Sequence, residues 1–95
     1  MGQAFYIVNK TRNEYIHPHD CGDGYKLLEL ETSVRMLAIL LSNDDDHPWS
    51  GAPGHGEWSG DSIAVVGEYS DMGADIDKMI RRNMTSMKNW MERHG

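Results

Sequence analysis

Ninety-five residues, 39% of them apolar, suffice for one domain with a modest core. The formal net charge is −6, from fifteen Asp and Glu against nine Lys and Arg. That balance disfavours direct contact with a nucleic acid backbone, which needs clustered bases. Cys21 is the lone cysteine and cannot form an internal disulfide, so a reducing cytoplasm is the expected compartment. Met1-Gly2-Gln3-Ala4-Phe5 lacks the basic start and apolar run of a secretory signal, and the longest apolar stretch, Met36–Leu41, is too short to cross a bilayer.

Taken in chain order, Ala4–Val8 is a β-prone run, Asn9–Asn13 has turn chemistry, and Glu14–His17 can return as a second strand, which predicts an N-terminal hairpin. Pro18 and the stretch Asp20–Gly24 interrupt regular structure. Tyr25–Glu31 fits a strand or a helix equally. Thr32 or Ser33 can cap a helix through Val34–Leu41, with Val34, Leu37, Ala38 and Leu41 at helical spacing and Met36, Ile39 and Leu40 filling the other side, so this helix is expected to be buried.

Residues 42–60 form a long irregular segment in which Trp49 and Trp58 predict partial anchoring. Ser62–Glu68 reads as a β-branched strand. A long helix is expected over about 75–93, with Ile76, Met79, Ile80, Met84, Met87, Trp90 and Met91 on its apolar face. Helical periodicity of this kind is mostly a core signal. Residues 1–95 are thus expected to be a single α+β domain. Its small antiparallel sheet of about three to four strands would pack against two helices, the C-terminal one long.

The charge is unevenly spread. Residues 14–77 carry fourteen acids against Lys26 and Arg35, while residues 78–95 carry five bases against Glu92. An acidic belt between basic ends favours a basic partner surface or a cation. Asp44, Asp45, Asp46 and Glu57 are the expected partner-binding acids.

The strongest chemical feature is His17-Pro18-His19-Asp20-Cys21. In an extended segment His17, His19 and Cys21 would project on one side. A turn after Pro18 would instead gather His19, Asp20 and Cys21. Imidazole and thiolate suit zinc. His47 and His55, eight residues apart across a Pro/Gly turn, would add ligands for one structural zinc ion, with Asp61 as a further candidate. The bland alternative in both places is a solvated polar turn. No phosphate loop, dinucleotide fingerprint, nucleophile elbow or HExxH helix occurs, so no enzymatic activity is expected.

The runs Tyr6-Ile7-Val8-Asn9, Glu14-Tyr15-Ile16, Pro18-His19, Gly22-Asp23-Gly24, Lys26-Leu27-Leu28-Glu29, Ala38-Ile39-Leu40-Leu41 and Trp58–Tyr69 resemble small uncharacterised proteins of bacteriophages and mobile elements over about residues 6–69. His19 and Asp61 match positions in that pattern. The chain departs from it at Cys21, where a bulky apolar residue is usual, and at Asp44–Glu57, where a Gly-rich stretch is usual. In size, acidity and lack of catalytic motifs the chain is also similar to anti-CRISPR proteins. That similarity implies a stoichiometric inhibitor binding the basic surface of a Cas effector in a host cell and keeping nucleic acid out of its channel. The competing expectations are a metal-dependent hydrolase and a structural phage component.

Overall fold

The computed structural model describes residues 4–42, 52–71 and 73–94. Strands β1 (Phe5–Asn9) and β2 (Glu14–Ile16) form the expected hairpin, and β3 (Ile63–Gly67) pairs antiparallel with the other side of β1. Its turn is closed by the Asn9 side chain, whose Oδ1 accepts the Arg12 amide at 2.9 Å, and by Asn13 at φ 57°, a left-handed conformation that Asn tolerates.

The fourth strand lies where the C-terminal helix was expected. Residues 80–81 form β4 (Ile80–Arg81), which lies parallel to β2 and gives the order β3-β1-β2-β4. The sheet is therefore mixed, not antiparallel throughout. The long C-terminal helix is also corrected: Gly73–Lys78 is a 3-10 helix, and α2 spans only Thr85–His94. The open edge of β2 explains the break. The Ile80 amide donates to Asn13 O at 2.8 Å and the Arg82 amide to Tyr15 O at 2.9 Å, so these donors satisfy the sheet edge instead of a helix. Asn83 then accepts the Thr85 amide at 2.9 Å and starts α2.

The alternation of the strands sorts the apolar residues into two layers. On one face Ile7, Ile16 and Ile63 pack with Met36, Ile39 and Leu40 of α1 (Glu31–Leu41), with Met84 and Met87, and with fully buried Trp58. On the other face Tyr6, Val8, Tyr15, Ala64 and Val66 pack under Ile76 and Met79. The single apolar face expected over 75–93 is thus divided between opposite sides of the sheet, and Ile80 is exposed.

Both ends of α1 are held by distant chain. It begins at Glu31, earlier than expected. Neither Thr32 nor Ser33 caps it; the Asp23 carboxylate accepts the Thr32 amide at 3.1 Å, the Ser33 amide at 2.6 Å and the Ser33 hydroxyl at 2.7 Å. At the other end the Gly56 and Trp58 amides donate to Ile39 O and Leu40 O at 3.0 and 2.9 Å. This fixes residues 52–58 against the helix, the anchoring expected of Trp58; Trp49 lies outside the described residues.

Candidate interaction surface

Among the described residues, the expected metal ligands fall into separate surroundings. Pro18 opens a 3-10 helix, Pro18–Cys21, closed by Gly22 at φ 84°. The extended arrangement of His17, His19 and Cys21 therefore does not form. Cys21 is drawn into the main core, and burial pushes its thiol above the ordinary value despite the Ser33 hydroxyl beside it. A buried, protonated thiol is a packing group and a poor ligand.

His17 and His19 turn the other way, into an aromatic cluster with Tyr6 and Tyr25. The two imidazoles are 5.5 Å apart, and His19 lies 3.8 Å from the Tyr25 ring. His17 Nε2 shares a 3.0 Å hydrogen bond with the Tyr25 hydroxyl, while its Nδ1 is buried without a protein partner. Burial, and then the Arg81 guanidinium, lower the His17 pKa below the ordinary 6.5; Asp20 opposes them and His19 adds to them. The folded protein thus holds His17 neutral where the unfolded chain begins to take up a proton. Its contribution is fully present above pH 6.5 and is lost as pH falls through that value and below. The melting temperature should therefore decline from pH 7 to pH 5, and His17→Phe should flatten that slope. An unchanged slope in the variant would show that other groups carry it.

Asp61 serves the hairpin. Its Oδ2 accepts Asn9 Nδ2 and Arg12 Nε, each at 2.8 Å, and these two contacts, Asn9 first, hold its carboxyl below the ordinary range. His55 sits in the turn after Ala52, with Nε2 buried and unpartnered. Among the described residues no group of three or more His, Cys, Asp or Glu is placed to hold a metal ion. His47, Asp44, Asp45 and Asp46 lie outside the described residues.

Glu57 belongs to a cluster that the sequence did not reveal. Arg82 Nη2 donates to Glu57 Oε2 at 2.8 Å, its guanidinium lies 5.7 Å from the Trp58 ring centre, and the indole N–H donates to Glu14 Oε1 at 3.0 Å. Gly54 lies beneath it at φ 82°, a left-handed conformation that favours glycine. Nearby, Arg81 binds Asp20 through two hydrogen bonds of 2.8 and 2.6 Å, which hold the Asp20 carboxyl low. Asp20, Arg81, Arg82, Asn83 and Thr85 line a recess of about 300 Å³, but both arginines already have carboxylate partners. Glu14, Asp20, Asp23, Glu57, Asp61 and Glu68 all have intramolecular hydrogen-bond partners. Much of the acidic belt is thus engaged internally, part of it by the basic C-terminal segment.

What remains conspicuous on the surface is apolar. Helix α1 buries Ser33, Met36, Ile39 and Leu40 and turns Val34, Ala38 and Leu41 outward. These three stand at i, i+4 and i+7, one stripe of the helix. Val34 is 52% exposed and Leu41 37%. The expected full burial of α1 is corrected accordingly, because only the sheet side of the helix is covered. In the 3-10 turn Leu27–Glu29 just before it, Leu27 is also exposed, and Leu28 is 95% exposed. Glu29 and Glu31, both exposed, lie between these leucines and the stripe along the chain.

A scan of family models and searches of curated proteins and of solved structures give no match to this chain. No helix among the described residues is long and apolar enough to cross a membrane.

Proposed function

We propose that the chain is a non-catalytic binding protein that docks on a partner protein through the outward stripe of α1. The partner surface would be an apolar patch rimmed by Lys and Arg. The exposure of Val34, Leu41, Leu27 and Leu28 on so acidic a chain carries the reading, because apolar residues spaced along one helix stripe are the usual anchors of helix-in-groove recognition. Around the stripe Glu29 and Glu31 are balanced by Lys26 and by Arg35, which pairs with Glu31 at 3.7 Å, so the preference for a basic partner comes from the overall charge of −6. The use favoured by the profile is stoichiometric inhibition of a Cas effector, with the bound domain excluding nucleic acid from a basic channel.

The test is capture of a panel of purified Cas effectors at low and high salt, repeated with Val34→Asp/Leu41→Asp. Both side chains face water, so the double variant should keep the native far-ultraviolet circular dichroism. Its binding should weaken by on the order of tenfold or more. Absence of a complex with every effector at both salt concentrations would remove the inhibitor reading. A complex untouched by the double variant would move the interface away from α1.

A further inference from the structure

We infer that β3 is a self-association edge, through which two copies of this chain pair antiparallel to form one continuous sheet. Hydrogen-bond parity identifies the free groups. The Lys10 amide donates to Ser62 O and the Glu68 amide to Ala4 O, so the even-numbered residues of β3 face β1. The N–H and C=O groups of Ile63 and Val65 therefore point away from the sheet, along an edge that pairs with no strand among the described residues.

The edge has none of the usual devices that prevent pairing. Ile63-Ala64-Val65-Val66-Gly67 contains no charge and no proline, is five residues long, and leaves Val65 46% exposed. An extended chain that reproduces the β1 contact is the only kind of occupant that satisfies such a row of donors and acceptors.

Charge placement selects a second copy as that occupant. Lys10 and Arg12 stand at the start of β3, where Arg12 is shared with Asp61; Glu68 and Asp71 stand at its end. Antiparallel pairing of two identical strands brings the basic end of each against the acidic end of the other. In the register centred on Ala64, Ile63 of one copy then lies across from Val65 of the other, giving apolar cross-strand pairs. A parallel pairing would set like ends together. The α1 stripe lies on a different element, so this inference stands apart from the proposed partner docking.

Sedimentation equilibrium from micromolar to near-millimolar protein, with amide hydrogen exchange at both extremes, tests it. The expected result is a concentration-dependent dimer in which the Ile63 and Val65 amides become protected. The Ala64 and Val66 amides, already bonded to β1, should be protected at both extremes. Val65→Lys should leave a folded monomer. Lys10→Glu should weaken the dimer, and adding Asp71→Lys to it should restore association; these exposed substitutions decide the matter should Val65→Lys fail to fold. A monomer at every concentration would overturn the inference. So would a dimer whose Ile63 and Val65 amides stay unprotected, or one indifferent to the charge reversals.

Discussion

Trp58→Ala should be the most destabilising single substitution in the core. The side chain is fully buried and joins the sheet to α1 and α2, and truncating a buried Trp costs about 3–5 kcal/mol. A domain of this length has roughly 5–14 kcal/mol in total, so a large share of the margin goes. Further loss follows because the indole holds Glu14 by its N–H and underlies the Arg82 guanidinium. Without it two carboxylates and a guanidinium face an emptied space. Trp58→Phe separates the contributions in part, since it keeps much of the apolar volume while removing the N–H donor and one ring. Urea denaturation followed by circular dichroism should give a loss of about 1–2 kcal/mol for Phe and a far larger one for Ala. Equal, small losses in both variants would show that Trp58 is not the hub described.

The second large effect is expected at Asp23. Its carboxylate accepts two amides from the first turn of α1 and the hydroxyl of fully buried Ser33. Loss of a helix cap costs about 0.5–2 kcal/mol, and an orphaned buried hydroxyl about 1–3 more. Asp23→Ala should therefore lose about 2–4 kcal/mol in urea denaturation, with the two effects only partly additive. Asp23→Ala/Ser33→Ala should recover part of this, because the orphaned hydroxyl goes with it. A double variant less stable than Asp23→Ala would show that the Ser33 hydroxyl is not the group left unsatisfied. The negative carboxylate also complements the positive end of the helix dipole, so Asp23→Asn should fall between wild type and Ala.

Local patterns told much of this fold and long-range ones told little. The hairpin, β3 and the body of α1 follow from β-branched runs, Asn-rich turn chemistry and helical spacing, all of which act within a few residues. The failures occur where a distant group decides. A helical pattern runs across residues 75–93, but the unfilled edge of β2 takes the amides of Ile80 and Arg82. Asp23 looked like part of a Gly-rich turn because its partners lie nine and ten residues on. In α1 both sides are apolar, so periodicity cannot say which one the sheet covers; the side with Val34 and Leu41 was left out. The cluster of acids and histidines drew attention by composition alone. Composition cannot tell Asp61, which is tied to Asn9 and Arg12, or the core residue Cys21, from a ligand.

The internal pairing of the acidic belt has a consequence for encounters at a distance. Because Asp20 and Asp61 each pair with an arginine and Glu14 and Glu57 share Arg82, these four carboxylates leave a net charge of about −1 seen from a distance. At long range an approaching macromolecule then senses chiefly the net charge of −6. A monopole accelerates collision with any basic body and fades as salt is added, but it does not choose an orientation. Lifetime and selectivity of a complex therefore fall to short-range shape and to charges in direct contact. Added salt should act mainly on how often such complexes form, and substitutions on the apolar stripe on how long they last.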